Sequence, residues 1–164
     1  LDLSLKNYIS FLESPTLENA EKMSIASNLA GKAINISKTT APHATSYPFT
    51  YLFNISHGHA VSLFFEKFFS FNFENLSKSD VSFSLKDRFD LIFRIFCVGN
   101  IKELCDKINN IKKKADLDDN LSNLGVDLKQ NFDEILNGIN LLRLGNNPVK
   151  IDKEILKKII FKED

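Results

Sequence analysis

The sequence predicts an all-α protein, a helical bundle, on three observations. Apolar residues recur at i, i+4, i+7 and i+8 through much of its length. The best apolar–polar alternation, Val81-Ser82-Phe83-Ser84, is too short to make a strand, and no Asn-Gly or Asp-Gly pair lies between two alternating runs. Cap and breaker residues fall at the ends of the apolar stripes, where helices start and stop.

Taken in order, Leu1, Leu5, Tyr8, Ile9 and Leu12 form one stripe that ends near Ser14-Pro15. Proline suits a first helical turn, so a second helix is expected from Thr16 toward Thr39. Thr40 is a good N-cap with Pro42 in the following turn, and Ser56 repeats the cap ahead of Ala60. Pro48 should kink the helix between them by removing a backbone donor. Leu85, Phe89, Ile92, Phe93 and Phe96 make a clean stripe, as do Ile101, Leu104, Cys105, Ile108 and Ile111. Leu128, Phe132, Ile135, Leu136, Ile139 and Leu142 predict another helix. Asp152 should cap a last one that buries Ile155, Leu156, Ile159 and Ile160 and leaves Lys153, Lys157 and Lys158 outside. The expected loops are 72–84, 116–119 and 145–148. No internal repeat is evident.

At 164 residues the whole chain, 1–164, reads as a single domain large enough to bury a real core. Lys+Arg and Asp+Glu are both 21, so no charge footprint points to nucleic acid or to an anionic membrane surface. No apolar run reaches the ~18 residues a membrane span needs, and no signal peptide is visible. The basic run Lys112-Lys113-Lys114 reads as a solvated helix end. Cys97 and Cys105 lie within or beside apolar stripes and read as small buried hydrophobes in a reducing cytoplasm rather than as a disulfide. Fifteen phenylalanines are densest at Phe64, Phe65, Phe68, Phe69, Phe71 and Phe73. They fit a large aromatic core, or an exposed apolar face that docks on another domain. Leu1 falls inside a helical pattern and the single methionine is Met23, so the sequence is expected to be a piece of a longer polypeptide.

The chemistry concentrates in one window. All three histidines, His43, His57 and His59, lie within it, and the first two stand fourteen positions apart. Neutral imidazole is the commonest protein ligand of transition metals. His43 and His57 each follow a cap, and the partial positive charge of a helix start disfavours imidazolium. That placement suits a metal, which binds only the neutral ring. It equally suits two histidines bonded to nearby carbonyls. A catalytic site of the zinc type takes three protein ligands, and no carboxylate here stands at i, i+4 from a histidine.

The residues Asn28-Leu29-Ala30-Gly31-Lys32-Ala33, Thr39-Thr40-Ala41-Pro42-His43-Ala44 and Ser56-His57-Gly58-His59-Ala60-Val61 resemble the iron-containing alcohol dehydrogenases. That family has a small-residue helix, a metal histidine followed by alanine, and a second histidine fourteen positions on in a His-Gly pair. Asn146-Asn147-Pro148 before a last helix also looks like the family's C-terminus, so the resemblance runs from about Leu3 to Ile160. It implies that the chain is the C-terminal helical domain of a metal-dependent, NAD(P)-linked alcohol dehydrogenase or aldehyde reductase. It implies His43 and His57 as ligands of Fe²⁺ or Zn²⁺. Further ligands, an Asp and a His, are expected on an upstream helix, and NAD(P)H is expected to be bound mainly by an upstream domain, so this piece alone should be inactive.

Where many relatives carry a histidine four residues after the first ligand, this chain has Tyr47. Tyr47 and His59 are the candidate catalytic, proton-relay groups. The segment 39–47 looks more like the phosphonoacetaldehyde reductase and hydroxyethylphosphonate dehydrogenase subgroup. A small alcohol or aldehyde is the implied substrate, with a phosphonate as one form. Lys32, Lys38, Thr39 and Thr40 are candidates to hold its anion, and they read equally well as caps and surface residues. Relatives are often homodimers, although nothing in this sequence marks a dimer surface. The competing reading is a truncated, non-catalytic helical module that binds a partner through its Phe-rich surface.

Overall fold

The computed structural model describes residues 1–161, and these fold as helices without a sheet. The elements are α1 (Asp2–Glu13), α2 (Leu17–Ser37), α3 (Ala41–Phe53), α4 (His57–Ser62), α5 (Phe65–Glu74), α6 (Leu85–Phe96), α7 (Ile101–Lys114), α8 (Phe132–Asn137), α9 (Leu141–Leu144) and α10 (Lys153–Phe161). A short 3₁₀ turn spans Leu76–Lys78, and an isolated antiparallel bridge joins Ser79 to Val149. The expected all-helical bundle is what the chain forms.

The starts follow the caps. Thr16 accepts a hydrogen bond from the Asn19 backbone, Ser84 from Asp87 and Asn100 from Glu103. Asp152 does the same for Ile155 at 2.8 Å. Each such cap is worth about 1 kcal/mol. Thr40 and Ser56 occupy the N-cap positions of α3 and α4 but make no side-chain cap bond. Pro48 sits fully buried inside α3 without ending it.

Two apolar clusters make the core. The larger gathers α3, α4, α8, α10 and the segments between them around Phe49, Phe64, Phe68, Ile135 and Ile160. The smaller packs α6 and α7 through Phe89, Phe93, Phe96, Leu104 and Ile108, with Leu5 of α1 against it. Helix α5 serves both. Its Phe68 and Phe71 enter the first cluster, while Phe65, Phe69 and Phe73 enter the second. Phe73 meets Phe89 and Phe93 edge-on at 5.2 and 5.5 Å between ring centroids. The phenylalanine-dense stretch therefore packs into the two clusters, with Phe64 and Phe68 buried and the other four half-buried. Exposed apolar residues lie elsewhere: Leu17, Ile25, Leu29 and Ile36 on α2, of which only Ala26 is buried.

Four expectations need correction. The stripe from Leu128 to Leu142 is not one helix but α8 and α9. Asn140 starts the second by accepting from the Arg143 backbone, and Leu142 is left exposed. Asn72 belongs to α5 rather than to a loop. It is buried in a reciprocal amide pair with Asn147, at 2.7 and 3.3 Å. Cys97 is exposed, in the left-handed C-cap of α6, and both thiols are free. Lys112 is not solvated: its ammonium lies between Glu66 on α5, at 3.0 Å, and Asp119, at 2.9 Å, with 3% of the side chain exposed. It is the first lysine of the basic run and stands four and eight positions after the buried Ile108 and Leu104, on their face of the helix, so it turns inward while its neighbours do not.

Two stability predictions follow from this packing. Removing one partner of a buried ion pair strands the other, so Lys112→Ala is expected to cost about 3 kcal/mol, discounted for the half-exposed Asp119. Lys113→Ala should stay within about 0.5 kcal/mol in the same urea titrations. A Cβ at Gly138 would lie 2.9 Å from Pro48 Cβ and 3.3 Å from the Glu134 carbonyl oxygen. Gly138→Ala should therefore destabilise by about 1–3 kcal/mol, read as a lowered urea midpoint.

Candidate metal and substrate site

Helix α3 has one polar stripe on an otherwise buried surface. Ala41, Pro42, Ala44, Thr45, Ser46, Pro48 and Phe49 are buried, while His43 and Tyr47 are half-buried. These two stand at i and i+4 and so share a face. After Phe53, Asn54 takes a left-handed conformation, φ 55°, and turns the chain into α4. Asparagine tolerates that conformation better than most residues. The turn brings His57, the first residue of α4, back over the His43–Tyr47 face.

The outcome is a compact triad of rings. The His43 and His57 centroids are 5.5 Å apart at 64°, and those of Tyr47 and His57 are 5.9 Å apart at 43°. Two imidazoles bound to one tetrahedral ion at ~2.1 Å per Zn–N bond have centroids roughly 5 Å apart. The His43–His57 spacing therefore fits a shared ion. The contact of Ser46 Oγ with His57 Nδ1 at 3.4 Å adds orientation. The Ser46 hydroxyl donates to the His43 carbonyl at 2.8 Å, so toward His57 its oxygen acts as acceptor from Nδ1–H. That leaves Nε2 with a lone pair, the state a metal ligand needs. Burial holds the His43 imidazole below the ordinary histidine range, and the charges of His57 and Arg143 push it the same way.

His59 goes elsewhere. Two positions along a helix turn a side chain by about 200°, so His57 and His59 cannot face one point. His59 Nε2 lies 2.7 Å from the Asp118 carbonyl, on the loop after α7. Lys38 folds back on the Asn35 carbonyl at 3.0 Å, and Lys32 lies on the exposed surface of α2. Among the described residues no group of three His, Cys, Asp or Glu side chains converges as a complete metal site. Cys105 is not a reactive alternative: burial raises its thiol, and it contacts Ser70 at 3.4 Å. An 890 Å³ groove between Lys67, Asn120, Gly125 and Lys129 has no histidine in its lining.

Arg143 was not foreseen. It reaches from α9 to donate from Nη1 to Thr39 Oγ1 at 2.6 Å, and its guanidinium carbon is 5.8 Å from the centre of the Tyr47 ring. Asn146 clamps the same threonine through its carbonyl at 3.1 Å. A separation of about one hundred residues carries no local spacing signal, so only the tertiary fold reveals this neighbour.

A helical domain with two convergent imidazoles at adjoining helix starts belongs to a recognisable class. Residues 2–163 match the model of the Fe-containing alcohol dehydrogenase family, C-terminal, and the chain belongs to that family. It is similar in structure to a histidine-to-alanine mutant of an archaeal halo-thermophilic alcohol dehydrogenase from a Red Sea brine pool. That likeness has a TM-score of 0.83 at 26% sequence identity and covers 98% of this chain. The chain spans 42% of the length of that structure. No curated protein matches the sequence.

In metal-free protein, NMR titration of the His43 ring should give a pKa below the ordinary 6.5. Protonation with a midpoint at or above 6.5 would show that burial does not govern this ring.

Proposed function

We propose that His43 and His57 supply two of the ligands for a divalent metal, Fe²⁺ or Zn²⁺, in an NAD(P)-linked alcohol dehydrogenase or aldehyde reductase. The observation that carries this reading is the 5.5 Å approach of the two rings, with His57 turned by Ser46 so that Nε2 is available. The remaining ligands and the NAD(P)-binding residues are assigned to sequence outside this chain, and the domain by itself is expected to be inactive. When bound, such a cation serves as a Lewis acid toward the oxygen of an alcohol or aldehyde. The net reaction is aldehyde plus NAD(P)H plus a proton giving alcohol plus NAD(P)⁺.

This chain's residues have separable tasks in that scheme. His43 and His57 bind, and Ser46 holds the second ring in its tautomer. Tyr47, beside His57, is assigned to donating a hydrogen bond to the substrate oxygen. A phenol is a poor base at neutral pH, so it acts as donor and not as proton acceptor. His59 is assigned to positioning the loop at Asp118, because its Nε2 is already engaged there.

A second reading, a non-catalytic interaction module, draws on the exposed apolar residues of α2. The approach of the two imidazoles favours the enzyme. The decisive measurement is metal content and aldehyde reduction in the complete polypeptide. His57→Ala is expected to lose bound metal and to lower turnover by at least about a hundredfold, while His59→Ala keeps the metal. A His57→Ala protein that retained both metal and turnover would reject the assignment.

A further inference from the structure

The side chains beside the histidine pair are accounted for by ligation and orientation, except Arg143. It is a half-buried cation on a four-residue helix, fixed at one end by the Asn140 cap and at the other by Thr39. Among the described residues no carboxylate lies within ion-pair distance of it. Among the described residues, Thr39 is the one hydrogen-bond partner of its guanidinium. The contrast with Lys112 is informative. That buried ammonium is met by two carboxylates, which balance its charge. Holding a partly buried cation without a counter-ion costs free energy, and a planar fork of donors is the group best matched to a carboxylate or phosphonate.

We infer that Arg143 is a specificity-determining residue that takes the anionic group of a short aldehyde or alcohol, a carboxylate or a phosphonate, whose other end lies at the His43–His57 pair. This rests on the reading of that pair given above. The placement supports it. The guanidinium lies against Tyr47, and Tyr47 lies against His57. One small molecule can therefore touch the cation and the ring triad together. Thr39 holds the fork in one orientation, so less freedom is lost on binding. The lysines that the sequence offered for this task are not in position, since Lys38 is bonded to its own helix. Arg143 binds and aligns the substrate; it takes no part in proton or hydride transfer.

The test uses the complete, metal-loaded polypeptide with succinic semialdehyde, phosphonoacetaldehyde and the neutral analogue butanal. Wild type is expected to prefer at least one anionic aldehyde over butanal. Arg143→Gln should raise KM for that aldehyde by about tenfold or more and leave kcat/KM for butanal within about threefold. The anion that loses more identifies the group recognised. Arg143→Lys, which keeps the charge without the fork, should fall between the two, and it decides the matter if the Gln variant does not fold. Equal losses on butanal and on the anions would show that Arg143 only clamps Thr39, and that overturns the proposal.

An arm independent of turnover separates this inference from the dehydrogenase reading. Calorimetric titration with methylphosphonate and with acetate should show binding of at least one anion to wild type, weakened about tenfold in Arg143→Gln. Absence of binding, or equal binding to both proteins, overturns the role of Arg143 even where aldehydes are reduced. Binding lost in the variant, with no aldehyde reduced by wild type, upholds the anion site and rejects the dehydrogenase.

Discussion

The site depends on the way α3 is buried. This helix packs against α4, α5, α8 and α9, and the stripe that carries His43 and Tyr47 runs on to the exposed Tyr51. Small and tight contacts let the surrounding elements come that close. Ala41, Ala44 and Ala60 are fully buried, and Gly138 seats the end of α8 on the Pro48 ring. A backbone bond from Asn140 to the Ala44 carbonyl, at 3.2 Å, ties the following segment to the same helix. With α3 fixed, the left-handed residue Asn54 sets the direction of α4 and hence the place of His57. The two rings are therefore positioned by backbone packing rather than by a bond between them.

The parts of this arrangement legible in the sequence were the local ones. The cap at Asp152 announces the last helix because its carboxylate satisfies a backbone donor three residues on, whereas Thr40 and Ser56 hold their N-cap positions without the side-chain bond expected of them. The spacing of His43 and His57 left a shared site and two separately bonded histidines equally open, and it was the family resemblance that implied the pairing seen in the 5.5 Å approach of the rings. Relations that depend on tertiary approach were not legible. Arg143 meets Thr39 across most of the chain, and Lys112 meets Glu66 across two helices. His59 follows His57 so closely in sequence that it invited a shared role, yet helical geometry turns it away to Asp118. The break between α8 and α9 was hidden because apolar periodicity continues through it, and only the competition of Asn140 for a cap resolves the two.

The two cations with buried character illustrate a general distinction. Lys112 is satisfied by carboxylates from α5 and the loop after α7, and it joins those elements. A lysine so placed contributes register more than net stability, because desolvation offsets much of the attraction. Arg143 instead meets a hydroxyl and the face of an aromatic ring, both neutral. Counting counter-charges around buried cations thus separates a cross-brace from a group with unspent binding capacity.

The shared helix α5 and the outlying pair α1–α2 have opposite consequences for motion. Phenylalanines on both sides of α5 couple the two clusters, so neither half can open without exposing rings that belong to the other. The α1–α2 hairpin buries little beyond Ala26 and the Leu5 contact, and it lacks that coupling. Amide protons along it should exchange through low-cost local opening, while those of α5 wait for the whole unit to unravel.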